Sequence, residues 1–157
     1  MTGGTGFIGS HACVALLVAG HDLCIYDSLI NSSEICLKRI ISITNLEPSE
    51  VSRRIKVFKA DIRNSNSLKS VFSESLNEKR EIDAVMHFAG LKAVSESVKH
   101  PLHYWDVNVN GTRSLLSTME EFGCRTIIFS SSATIYGIPK QVPISESAEI
   151  NPINPYG

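Results

Sequence analysis

The chain has 157 residues, 43% hydrophobic and 20% charged, with 10 Gly and 6 Pro. That length is one ordinary domain with room for a hydrophobic core, and the composition excludes a collagen, a disordered tail and a coiled-coil rod. The 15 Lys and Arg residues against 16 Asp and Glu give a net charge of −1, so no basic excess points to a nucleic acid or an anionic membrane surface.

The chain opens on Gly3-Gly4-Thr5-Gly6-Phe7-Ile8-Gly9, glycines spaced G-x-x-G-x-x-G ahead of an apolar helix over 7–19. In such a pattern Gly3 permits a tight turn, Gly6 lets the backbone approach a pyrophosphate, and Gly9 lets the helix pack closely on a sheet. The spacing alone is a weak signal, and a plain glycine-rich turn is the alternative. Leu23–Asp27 reads as a buried strand. Asp27 ends it 18 residues after Gly9, close to the roughly 20-residue spacing of an acid that binds an adenosine ribose. A carboxylate there accepts from the 2′-OH and repels a 2′-phosphate, which favours NAD over NADP. A turn or helix cap is the plainer role for Asp27.

A weaker helix over 34–46 leads to a strand over 55–61. Asp61 ends that strand, with Ile62 after it, where it either meets an adenine edge or caps the next helix, over 67–79. A strand over 82–89, a long helix over 101–122 packed through Tyr104 and Trp105, and a strand over 126–132 follow. From 137 to 157 the chain carries Pro139, Pro143, Pro152 and Pro155 and reads as a long loop.

Strands too apolar to face water, alternating with helices, predict an α/β fold: a Rossmann-like doubly wound parallel sheet covered on both faces. Only Met1 and Thr2 precede the glycine turn, against about five or six residues in a typical strand. The sheet is therefore expected to be truncated at both ends, with the central first strand missing, its neighbours' edges unpaired and the substrate domain absent. Residues 1–157 then form a partial NAD-binding domain.

Cys13, Cys24, Cys36 and Cys124 form no C-x-x-C pair and are expected as reduced thiols in a reducing compartment. The longest apolar stretch, 12–20, is too short for a membrane span. No basic-then-apolar leader opens the chain, so a cytoplasmic protein is expected. His11, His21, His87, His100 and His103 have no metal spacing, and no metal is expected. His87, in a strand, reads as a satisfied core residue, and His100 and His103 as surface residues.

Three segments are more specific: His87-Phe88-Ala89-Gly90-Leu91-Lys92-Ala93-Val94-Ser95-Glu96-Ser97-Val98, Asn108-Val109-Asn110-Gly111-Thr112, and Ser130-Ser131-Ser132-Ala133-Thr134-Ile135-Tyr136-Gly137. They resemble the UDP-glucose 4-epimerases, a family of extended short-chain dehydrogenases/reductases, and the resemblance runs over the whole chain. It implies that Phe7 and Ile8 cover the pyrophosphate and that residues from Asp27 through Asn31 and Ser32 surround the adenosine ribose. Asp61 and Ile62 would flank the adenine. Phe88, Ala89, Gly90 and Lys92 would form the wall beside the nicotinamide. Many members carry two adjacent asparagines where this chain has Val107-Asn108, so only Asn108 is carried over. UDP-glucose and UDP-galactose are the implied substrates and galactose metabolism the setting. The implied whole protein is a homodimer of subunits about twice this length, and the 157 residues alone are expected to be inactive.

Inverting C4 of a hexose means inverting a carbon that bears only an alcohol and a non-acidic C–H. The practical route is temporary oxidation to a ketone with NAD as hydride acceptor, and it needs a base for the hydroxyl proton. The resemblance assigns the base to Tyr156, in Asn154-Pro155-Tyr156-Gly157, with a lysine at position 160 favouring its anion. It assigns to Ser132 a hydrogen bond to the reacting oxygen. The alternatives are an epimerase or dehydratase of another nucleotide sugar, and a non-catalytic NAD-binding regulator, against which the presence of both Ser132 and Tyr156 argues.

Overall fold

The computed structural model describes residues 1–157. In chain order the elements are α1 (Phe7–Val18), β1 (Leu23–Asp27), α2 (Ile35–Thr44), α3 (Pro48–Arg54), β2 (Ile55–Lys59), α4 (Ser65–Asn77), β3 (Ala84–His87), α5 (Val94–Lys99), α6 (Pro101–Trp105), α7 (Gly111–Glu121) and β4 (Thr126–Phe129). A π-helical segment, Asp106–Asn110, joins α6 to α7, and a 3₁₀ turn, Ala133–Tyr136, follows β4.

β1 pairs with β2 and β3 with β4, both parallel, with Leu23 opposite Ile55 and Ala84 opposite Thr126. The two pairs are joined by the first residues of the chain. Thr2 bridges Tyr26 on one side and His87 on the other. Tyr26 N donates to Met1 O at 2.8 Å, Thr2 N to Met86 O at 3.0 Å, and Phe88 N to Thr2 O at 3.0 Å. The order across the sheet is thus β2, β1, Met1–Gly3, β3, β4. The expected unpaired edges are met only in part, since Met1–Gly3 pair the C-terminal halves of β1 and β3. Toward the N-terminal ends of those strands lies a cavity of about 560 Å³, lined by Leu23, Cys24, Phe72, Val85 and Leu115 among others.

Strand alternation sends side chains to two cores. On one face Leu23 and Ile25 pack with Cys13 and Leu17 of α1 and Ile40 of α2. On the other, Tyr26 and Val85 pack with Leu68, Val71 and Phe72 of α4 and Leu115 and Met119 of α7. Leu68, Val71, Phe72 and Ser75 form the buried i, i+3, i+4, i+7 stripe of α4. Each large apolar side chain buried this way contributes about 1.5–3 kcal/mol. Helices on both faces make the sheet doubly wound, as expected. Its outer strand is the exception: Ile128 and Phe129 of β4 are 52% and 58% exposed, so the expectation of two covered faces fails there.

Other boundaries differ from the sequence reading for identifiable reasons. The helix expected over 101–122 is preceded by α5, which stops at His100 because the residue before Pro101 is driven out of helical geometry (φ −132°). Tyr104 is buried as expected, but Trp105 points outward and is 63% exposed. α3 was not foreseen. It begins on Pro48, and Glu50 accepts from the Glu47 amide at 3.4 Å.

Arg54, at the end of α3, is buried and donates to Leu17 O (2.7 Å) and His21 O (2.9 Å), closing the C-terminus of α1. Asp22 and Glu50 flank its guanidinium. Arg54→Met keeps the apolar stem but takes the guanidinium from both carbonyls, leaving Leu17 O only the Gly20 amide at 3.1 Å, at an expected cost of about 1–3 kcal/mol. Urea unfolding of the chain measures this, and a loss below ~0.5 kcal/mol would contradict the role.

Candidate functional site

The candidate residues gather at the C-terminal ends of the parallel strands, where open α/β sheets bind ligands. The ~560 Å³ cavity lies at the other end of the strands and is separate from them.

The glycine turn is locked from three directions. Gly3 has φ +66°, and Gly6 N donates to Gly3 O at 3.1 Å. A Cβ on Gly3 would stand 2.6 Å from Ala89 N, and one on Gly9 would collide with Gly3 O. Gly9 therefore serves close packing, as expected, but against the turn itself. α1 starts at Gly6 with no side-chain cap and no acid in its first turn. The free amides at its start thus present the positive end of the helix dipole. Phe7 and Ile8 stand exposed beside it, at 77% and 58%.

Asp27 is the hub that holds the turn. Its Oδ2 accepts from Thr5 N (2.9 Å), and its Oδ1 from Leu29 N (2.9 Å) and Ser32 Oγ (3.3 Å). Thr5 Oγ1 and Ser32 Oγ are 2.7 Å apart. Three of the four lone-pair positions of the carboxylate are used, which leaves capacity for one more donor such as a ribose hydroxyl. Both sequence-level roles of Asp27 are thus compatible. Asn31 lies exposed on the same loop.

At the end of β2, Asp61 is gripped by Arg63: Nη2 donates to Oδ2 at 2.6 Å, and Nε and the backbone N of Arg63 to Oδ1 at 2.9 Å. The hydrogen bond from Arg63 holds the Asp61 carboxyl below its usual range. Arg63 Nη1 also donates to Asp106 Oδ2 at 2.6 Å, tying this corner to the π-helical segment. The Ile62 side chain is buried in the core, so only its backbone faces the site.

After β3, Phe88 and Ala89 are half-buried, and Gly90 and Lys92 exposed. Asn108 clamps this wall: its Oδ1 accepts from Leu91 N at 2.8 Å and its Nδ2 donates to Leu91 O at 2.9 Å. A Cβ on Gly90 would stand 3.1 Å from Asn108 Oδ1. The Asn108 amide is thus committed to shaping the wall. The clamp explains why a single asparagine here matters despite Val107 beside it.

Ser132 caps the 3₁₀ turn, accepting from Thr134 N at 3.3 Å, with Thr134 Oγ1 2.9 Å away. The last residues fold back on that turn. Asn151 N donates to Ile135 O at 2.9 Å, and Asn154 Oδ1 accepts from the amides of Tyr156 (3.1 Å) and Gly157 (3.0 Å). The ring of Tyr156 meets that of Tyr104 edge-on, with centroids 6.4 Å apart. Tyr104 is buried, donates to Glu96 Oε2 at 2.7 Å and accepts from Ala93 N at 3.0 Å. Burial, helped by the Glu96 bond, pushes its hydroxyl up to about 12, so it stays protonated.

Sequence reasoning missed Thr5, Arg63, Tyr104 and Glu96. Thr5, Tyr104 and Glu96 meet their partners across loops, and Arg63, though two residues from Asp61, reaches Asp106 only through the fold. No group of three or more His, Cys, Asp and Glu stands where it could hold a metal ion. No helix is long and apolar enough to cross a membrane. All four cysteines are free, with Cys13 and Cys124 buried.

Comparison with known proteins adds a family, two relatives and two solved structures. A family model described as GDP-mannose 4,6 dehydratase matches residues 1–157. The chain is 46% identical over its whole length to UDP-glucose 4-epimerase 2 of Oryza sativa subsp. japonica, covering 36% of that protein. It is 45% identical to UDP-glucose 4-epimerase of Bacillus subtilis (strain 168), covering 43% of it. Among solved structures, UDP-glucose 4-epimerase from Bifidobacterium longum in complex with NAD+ and UDP superposes with a TM-score of 0.87 at 42% identity. That match covers 99% of this chain and 43% of the other. UDP-glucose-4-epimerase from Stenotrophomonas maltophila, with bound NAD and formylated UDP-arabinopyranose, gives 0.86 at 42% identity with the same coverage. The chain spans about two-fifths of the length of these relatives.

Proposed function

Since the chain belongs to the GDP-mannose 4,6 dehydratase family, we propose that it forms the NAD-binding part of an enzyme that interconverts UDP-glucose and UDP-galactose. The observation that carries this reading is the gathering at one sheet edge of an Asp27-pinned glycine turn, the Asn108-clamped wall, and the Ser132 turn with the Tyr156 segment folded onto it. It is supported by a relative of the same fold, of which this chain covers 43%, solved with NAD+ and UDP.

The residues present fit the cofactor. The amides at the start of α1, kept free of any side-chain cap, suit a pyrophosphate, and Asp27 suits a ribose hydroxyl. Asp61 and the Ile62 backbone suit the adenine, and the loop from Phe88 to Lys92 suits the nicotinamide side. Bound there, NAD would supply the hydride acceptor and donor for C4 of the hexose. Tyr156 removes the C4 hydroxyl proton and later gives it back. Ser132 donates to the same oxygen and holds it in line with the tyrosine. Phe7 and Ile8, exposed at the mouth, exclude water from the diphosphate.

Two copies associate, in this proposal, through the outer face of α6, the π-helical segment and α7. There Leu102, Trp105, Val109 and Leu116 leave an exposed apolar stripe at helical spacing. The free cysteines suit the cytoplasm.

The whole protein carrying this chain is expected to retain NAD through dialysis and to convert UDP-galactose to UDP-glucose in a coupled assay. Turnover of a GDP-sugar with none of UDP-galactose would instead support the dehydratase named by the family model. Asp27→Ala is expected to weaken NAD binding, by about tenfold for each 1.4 kcal/mol lost. Titration of the apoprotein with both cofactors checks the specificity, and tighter binding of NADP than NAD by the wild type would refute the role of Asp27.

A further inference from the structure

We propose that His87 is a positioning residue: as the neutral Nε2–H tautomer it joins the glycine turn, the nicotinamide-side wall and the start of α7 into one frame. This rests on the function proposed above. His87 closes β3 and is buried, yet no step of that chemistry uses it.

The tautomer follows from the partners. Thr112 Oγ1 donates its proton to Asn108 O at 2.5 Å, so toward His87 Nε2, 2.9 Å away, it can only accept. Nε2 therefore carries the ring proton. Nδ1 is left as an acceptor, and Thr2 Oγ1, 2.6 Å away, donates to it. Thr2 Oγ1 in turn accepts from Ala89 N at 3.4 Å. One directed chain runs from the Ala89 amide through Thr2, His87 and Thr112 to the carbonyl of Asn108. Burial holds His87 down to about 4, so the chain persists at neutral pH.

Each end of this chain meets a candidate site element. Ala89 is the residue against which Gly3 packs too closely for a Cβ. Asn108 is the residue whose amide clamps Leu91. His87 is the joint between them, 85 residues along the chain from Thr2 and 25 from Thr112. A shift of the wall relative to the turn changes where a nicotinamide sits against C4, and a misplacement near 1 Å costs about 100-fold in rate.

The test uses the whole protein. Nitrogen NMR of labelled histidine is expected to find His87 neutral, with Nε2 protonated, from pH 8 to about 5. A protonated Nδ1, or titration near the usual histidine value, overturns the chain whatever the activity is. His87→Phe keeps the ring volume and removes both bonds. It is expected to lower kcat about 10–100-fold, with the KM for UDP-galactose and the bound NAD content nearly unchanged. Thr112→Val removes both bonds of the Thr112 hydroxyl and leaves His87 in place. It is expected to lower kcat in the same way, and the double variant to be no worse than His87→Phe. A purely structural histidine would move the unfolding midpoint and leave kcat alone. Unchanged kcat in folded Thr112→Val, or additive losses in the double variant, overturns the proposal. A wild type with no turnover overturns the functional reading and, with it, the catalytic consequence, while the NMR result still decides the tautomer.

Discussion

Tyr156→Phe in the whole protein is expected to lower kcat by about 10²–10⁴, the contribution of one acid–base group, with bound NAD retained. The substitution removes one oxygen. The edge-on contact with Tyr104 needs only the ring, and the Asn154 turn that holds the segment uses only backbone amides of residues 156 and 157. The glycine turn and Asp27 are held by other residues, so cofactor content is a clean control. Ser132→Ala is expected to cost less in rate. It also removes the cap on Thr134 N, so its effect divides between chemistry and a loosened turn. Steady-state turnover with cofactor extraction checks both, and unchanged turnover in Tyr156→Phe would remove Tyr156 from the mechanism.

Gly9→Ala is expected to be a severely damaging single methyl. Its Cβ would collide with the carbonyl of Gly3. Gly3 cannot retreat, because it already packs tightly on the backbone of Phe88 and Ala89 and holds a left-handed φ. α1 must therefore swing outward, taking its free amides off the turn that Asp27 fixes. The expected cost is about 1–3 kcal/mol of overpacking, or more, with loss of retained NAD. Gly20→Ala is the control: it has a positive φ but open space around it, far from the site. It is expected to cost only ~1–2 kcal/mol, the backbone penalty, and to keep NAD. Unfolding curves and cofactor content of the two variants measure the difference. Gly9→Ala with full NAD and stability within ~0.5 kcal/mol of wild type would contradict the packing.

What could be read from the sequence was local. β1 spans the five residues expected, β2 and β4 begin at the expected Ile55 and Thr126, and α1 and α4 follow from their apolar spacing. The misreadings have distant causes. The strand expected over 82–89 stops at His87 because Thr2 and Asn108, remote in sequence, capture the backbone of residues 88–91. β4 was expected to be buried because Ile127, Ile128 and Phe129 are apolar, but burial depends on what lies over a strand. The π-helical turn at Asp106–Asn110 leaves no pattern in composition, although the Asp106–Asn110 side-chain bond could have hinted at it. The site divides the same way. Gly3, Gly9 and Asp27 declare themselves by spacing, and Ser132 and Tyr156 by resemblance. Asn108 was also legible by resemblance, but its clamp on Leu91, like the contacts of Thr5 with Asp27 and Tyr104 with Tyr156, is brought about only by the fold.

In the proposed chemistry the hydride taken from C4 never leaves the site. Epimerisation of UDP-galactose by the whole protein in deuterium oxide tests it most directly, with product analysed by NMR. The expected product is UDP-glucose with hydrogen, and no solvent deuterium, at C4. Deuterium at C4 would mean that the carbon exchanges a proton with water, and would contradict the assignment of NAD, Tyr156 and Ser132 to this chemistry.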